Sequence, residues 1–124
     1  MDIHQALIMF DALSQETRLR AFRLLVEAGT RGLPAGALSE QLGTPHNTLS
    51  FHLTHLSNAG LVTSRKSGRS VIYSANFNLT HELIGFMVRD CCSAEFVSVR
   101  QDTHNDCSII ELANCMPPES SAIT

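Results

Sequence analysis

Gly43-Thr44-Pro45 stands between two short apolar-periodic stretches, and this three-residue break limits the chain's folding more than any other feature. The stretch before it runs from about Pro34 through Ala37, Leu38, Gln41 and Leu42 and stops at Gly43. The stretch after it takes Thr44 as N-cap and Pro45 as its first helical residue, then continues through Leu49, Leu53 and Leu56 to close near Gly60. Proline inside a helix start and glycine past a helix end are the favoured positions for each. Two helices joined this tightly must cross at a steep angle and share one core, as in a helix-turn-helix. Directly after them, Leu61–Arg65 and Ser70–Ser74 are β-rich runs separated by Lys66-Ser-Gly-Arg69, which predicts a hairpin with glycine in its turn.

Three further helices are expected around this unit. Ile3, Leu7, Phe10 and Leu13 make an amphipathic first helix whose broad apolar face suits a partner subunit. Ser14 reads as the N-cap of a second helix, Gln15 to Ala28, with Leu19, Phe22, Leu25 and Val26 as its apolar positions and Gly29 as its end. A fifth helix is expected from about Leu79 to Asp90, carrying Leu79, Leu83, Phe86 and Met87. Aromatic residues make up only 6% of the 124, with no Trp and one Tyr, so the core must come from aliphatic side chains on helices. The fold class expected is mainly α with a small β-hairpin. Residues 1–92 are expected to form the working domain, and 93–124 a C-terminal segment whose end, 116–124, is a loose tail behind Pro117-Pro118. The longest apolar run, Leu83 to Val88, is too short to span a bilayer, and the start of the chain lacks a basic leader, so no membrane partner and a cytoplasmic, reducing location are expected.

A net charge of −3 argues against a polyanionic partner until it is divided along the chain. Residues 1–75 hold seven basic side chains against five acids, a surplus of +2, whereas residues 76–124 hold two against seven, a deficit of −5. Only the first part suits phosphate. At about 100° per residue, Leu49, Leu53 and Leu56 share one side of the fourth helix, and Asn47, Ser50, Phe51 and Thr54 occupy the other. That outward face has no acid, and its exposed Phe51 can pack on a thymine methyl in a major groove while Asn47 pairs with adenine or a phosphate. His46 lies at the start of the helix, within reach of phosphate. His52 falls beside the leucines and reads as a packed or backbone-bonded histidine. Arg65, Lys66 and Arg69 put three cations on the hairpin, suited to phosphate or minor-groove contact.

Residues 11–77 resemble the ArsR/SmtB family of winged-helix repressors. The likeness is carried by Ala12-Leu13-Ser14 with Arg18-Leu19 and Leu24-Leu25, by His46-Asn47 with Ser50, His52 and Leu53, and by Gly60-Leu61-Val62. It implies a winged helix-turn-helix, dimeric through its first and last helices, whose two recognition helices read an imperfect palindrome in double-stranded operator DNA. It also implies release of that DNA when a metal or metalloid binds. Matching two-fold symmetry in protein and operator is a general property of such dimers.

The inducer is read from the cysteines, all of which lie in the acidic last third: Cys91, Cys92, Cys107 and Cys115. The region of the third helix that reads Gly32 to Ser39 lacks the Cys-Val-Cys pattern of some family members, and Asn78, His81 and Glu82 offer no convincing four-ligand zinc set. Cys91, Cys92 and Cys107 resemble the C-terminal clusters of arsenic repressors, and As(III) or Sb(III) is the soft ion that three thiolates hold well. No permanently bound cofactor is expected. Cys115 can replace Cys107, and a two-thiol site would suit a methylated arsenical. A disulfide between Cys92 and Cys107 would make the chain a thiol-oxidation sensor instead. An arsenate reductase would need an activated thiolate beside an anion cradle, and no such pattern adjoins Cys91, so no enzyme activity is expected. A dimerisation module would leave the Phe51 face and the basic hairpin without a purpose.

Overall fold

The structure, a computed structural model, describes residues 1–88. Its elements are α1 (Ile3–Leu13), α2 (Glu16–Ala28), a single 3-10 turn (Gly29–Arg31), β1 (Leu33–Pro34), α3 (Ala35–Leu42), α4 (His46–Asn58), β2 (Val62–Ser67), β3 (Ser70–Ala75) and α5 (Phe77–Val88). Residues Met1–Thr80 form one compact unit, and a second begins at His81. The expected end of the fifth helix at Asp90, the four cysteines and the segment 93–124 lie outside the described residues.

Helix ends follow from local hydrogen bonding. Asp2 and Gln5 form a reciprocal capping box at the start of α1. Ser14, expected to start α2, instead closes α1: its hydroxyl and its amide both donate to the Asp11 carbonyl. Gln15 takes over as the N-cap of α2, its side-chain oxygen accepting from the Arg18 amide at 2.9 Å. At the central break, Gly43 adopts the left-handed conformation that ends α3, as the sequence predicts. Thr44 and Pro45 shift by one position from expectation. Pro45 is the N-cap, its carbonyl accepting from Leu49, while the Thr44 hydroxyl turns back to Leu42. Pro34 likewise stands just before α3 rather than within it. The last helix begins two residues earlier than Leu79 because Asn76 caps it: its Oδ1 accepts from the Leu79 amide, and its Nδ2 donates to the Gly60 carbonyl.

The core of the first unit is aliphatic. Met9, Leu25, Leu38, Leu49, Leu53, Leu56 and Leu61 are its largest fully buried side chains, and Phe22 is the buried aromatic. On α1 the buried positions are Ala6, Met9 and Ala12, whereas Ile3, Leu7, Ile8 and Phe10 are exposed. A helix that is apolar nearly all round can bury either side, and the alanines allow a closer approach of backbones. On α2, Ala21, Phe22 and Leu25 face inward, and the expected Leu19 and Val26 are exposed.

The sheet has three strands in the order β1-β3-β2, all antiparallel. The hairpin turn is the two residues Gly68-Arg69, tighter than the four expected, so Lys66 lies within a strand opposite Val71. Gly68 has φ +63°, the conformation a two-residue hairpin turn demands. The added strand is Leu33–Pro34, docked on Tyr73 and Ile72. Gly32 makes that docking possible: at φ +72°, its Cα lies so close to the Tyr73 carbonyl that a Cβ would collide with it and with the Ser74 hydroxyl.

Candidate nucleic-acid interface

Leu49, Leu53 and Leu56 anchor α4 through one stripe, each no more than 1% exposed, and this fixes what the helix shows to solvent. Asn47, Ser50, Phe51 and Thr54 all face outward, as the helical spacing predicts. Phe51 is 69% exposed, the most exposed large apolar side chain among the described residues. The Thr54 hydroxyl donates to the Ser50 carbonyl at 3.0 Å, so its proton is committed within the helix and it offers its methyl and lone pairs outward. His46 and Asn47 occupy the first turn, where no side chain caps the helix. Uncapped first-turn amides and the positive end of the helix dipole favour an anion there.

The hairpin separates its three cations into two roles. Lys66 and Arg69 are exposed at and beside the turn. Arg65, exposed as well, lies one pair further from the turn, opposite Ile72, and its guanidinium donates to the Arg31 carbonyl at 2.9 Å and to the buried Ser74 hydroxyl at 3.3 Å. It ties the hairpin to the turn before β1 instead of standing at the tip.

Two of the three histidines of α4, His52 and His55, turn toward the protein, whereas His46 is exposed. His52 Nδ1 lies 3.3 Å from Arg18 Nη1, and burial foremost, then the Arg18 charge, then His55, push its pKa down from 6.5. His55 Nε2 lies 3.5 Å from the Asp11 carboxylate on α1. This pair borders a surface groove of about 420 Å³ lined by Leu7, Ile8, Asp11, His55, Asn58 and Ala59. Arg18 and Gly32 have no periodic signature in the sequence, because each acts through a partner distant in the chain. Among the described residues, no three His, Cys, Asp or Glu side chains converge on a point that could hold a metal ion. His81 and Glu82 belong to α5, and Asn78 stands in its first turn.

A family model described as a helix-turn-helix domain matches residues 13–65, the span from the end of α1 to the middle of β2. Among solved structures, Rv0081 of Mycobacterium tuberculosis is 32% identical, with 74% of this chain and 88% of that one covered and a TM-score of 0.54. Reduced HlyU from Vibrio cholerae is 28% identical over 72% and 90% of the two chains, with a TM-score of 0.56. An ArsR-like transcriptional regulator from Rhodococcus sp. RHA1 is 26% identical over 79% and 92%, with a TM-score of 0.64. No curated protein sequence matches. The matched helix pair, its outward polar and aromatic face and the basic hairpin beside it together place the chain in the ArsR/HlyU type of winged helix-turn-helix, DNA-binding transcription regulators.

Proposed function

We propose that the chain is a homodimeric repressor of an arsenical-resistance operon, holding an imperfect palindrome until As(III) or Sb(III) binds Cys91, Cys92 and Cys107. The observation that carries the DNA-binding part is the outward face of α4, which exposes Asn47, Ser50 and Phe51 without an acid among them. Those side chains enter the major groove with Thr54, His46 takes a phosphate at the helix start, and Lys66 and Arg69 grip the backbone beside it. Arg65 holds the hairpin at the angle this requires. The exposed Ile3, Leu7, Ile8 and Phe10 of α1 supply an apolar face for the second subunit, joined by the last helix. Dimer symmetry then sets two α4 helices about one turn of DNA apart.

The inducer assignment rests on chemistry. Three thiolates form the pyramidal, soft donor set that trivalent arsenic and antimony take, with Cys115 as the alternative third ligand. The likeness to a regulator named in its reduced state favours one second reading, in which oxidation joins Cys92 to Cys107. A two-thiol site for a methylated trivalent arsenical is the variant of the first reading. A cytoplasmic location fits each of them.

Fluorescence anisotropy of the reduced protein on a duplex from upstream of its own gene, titrated anaerobically with arsenite, tests the proposal. Release by arsenite in the native chain and its loss in Cys91→Ser and Cys92→Ser, with DNA affinity intact, is the expected result. DNA that stays bound under arsenite but leaves under a mild oxidant, with a disulfide seen by non-reducing mass analysis, replaces it with the redox reading.

A further inference from the structure

Arg18 leaves α2 and ends between two other helices. Its Nε donates to the Ala12 carbonyl at 2.7 Å, and its Nη1 lies 3.3 Å from His52 Nδ1. Ala12 belongs to the last turn of α1, whose carbonyls have no amide partner within the helix and attract a cation. His52 stands on α4 between the exposed Phe51 and the buried Leu53, its ring edge-on to Phe51 with centroids 6.1 Å apart. One planar cation thus links the end of α1 to the middle of α4.

This link works in one protonation state only. Accepting from Arg18 requires a lone pair on His52 Nδ1, and therefore a neutral ring with its proton on Nε2. A protonated ring would point an N–H at a guanidinium with no acceptor between two cations. Among the described residues no carboxylate pairs with His52 to relieve that repulsion: Arg18 approaches from α2, His55 lies one turn along α4, and the Asp11 carboxylate of α1 lies against His55. We propose that Arg18 and His52 form a positioning clasp for α4, closed by neutral His52 and opened by its protonation, which makes DNA affinity fall in mildly acidic solution. The clasp rests on the reading of α4 as the DNA-contacting helix. Its physical basis is that the side chain next to Phe51 cannot leave Arg18 without disturbing the exposed face.

The test compares the native chain with His52→Asn, whose Oδ1 can accept from Arg18 but does not titrate. Anisotropy is measured on the upstream duplex at constant ionic strength from about pH 8 to about pH 5. The native chain should lose affinity on the order of tenfold as the ring protonates, within the range of ordinary coupling between sites. His52→Asn should show a markedly smaller loss, and His46, present in both proteins, cancels from the comparison. Arg18→Gln, which removes the cation, should move the His52 midpoint upward, followed by the ring signals in NMR. In the free native protein, the Arg18 Nε and α4 amide signals should shift together with that ring. Equal losses in the native chain and His52→Asn, an unmoved midpoint in Arg18→Gln, or α4 signals that ignore the titration would each overturn the clasp. Absence of DNA binding at every pH would instead overturn the reading of α4, and the NMR series would still decide the clasp.

Discussion

Leu53 and Phe51 are two residues apart on one helix and carry opposite burdens. Leu53 is 1% exposed and fills the space beneath α4, so Leu53→Ala should destabilise the fold by about 2–5 kcal/mol. Urea unfolding would register this as a lower midpoint with little change in slope. Phe51 is 69% exposed, so Phe51→Ala should change stability by less than about 0.5 kcal/mol while weakening DNA binding several-fold. A loss of stability without a loss of affinity would show that the ring supports the fold instead. His52 gives a pH dependence whose sign follows from its lowered pKa. Below the ordinary 6.5 the unfolded chain takes up its proton before the folded one does, so stability falls with pH through that window and levels off below the folded value. Urea midpoints measured across the range should show the fall, and His52→Asn should reduce it.

At the level of the element, the hairpin combines a tether with two exposed cations, its proposed grip on DNA. Lys66 and Arg69 reach solvent near the turn, whereas Arg65 bonds to Arg31 and Ser74. Replacing Lys66 and Arg69 together by Ala should flatten the salt dependence of DNA binding, by up to about 0.9 in the logarithmic slope for each phosphate no longer neutralised. Arg65→Ala should weaken binding with that slope nearly kept, since it loosens the hairpin without taking a cation off a phosphate. Equal slopes for the native chain and the double variant would take the hairpin off the DNA. The hairpin's existence was legible, because β-branched runs flank a glycine turn. Its third strand was not, because Leu33 and Pro34 are too few to show any alternation and owe their pairing to a close approach at Gly32.

For the whole molecule, the question is what covers α1. Ile3, Leu7, Ile8 and Phe10 stay exposed in the single chain, a costly surface for a protomer to keep in water. In the proposed dimer this face meets its copy, so Leu7→Asp with Ile8→Asp should give a folded monomer, seen by sedimentation as half the native mass with unchanged helical circular dichroism. A variant that remains dimeric would move the interface elsewhere. Loss of the dimer should also weaken operator binding far more than binding of a half-site, because two linked helices share one encounter with DNA.

The sequence by itself determined the order and kind of the main elements: an apolar period of 3.6 in the helices, glycine and proline at the central break, and β-rich runs on either side of Gly68. It also determined the outward face of α4, because three leucines at helical spacing leave only one side for Asn47, Ser50 and Phe51. These signals are local, set by backbone geometry and a few neighbours. The tertiary structure decided which side of α1 is buried, since an almost wholly apolar helix has no preferred face until the alanines meet a neighbour. It also decided the duties of Arg18 and Arg65, each of which has one partner 34 residues away. A long cation finds its acceptors only after the chain has folded, and no spacing in the sequence can name a carbonyl on another turn.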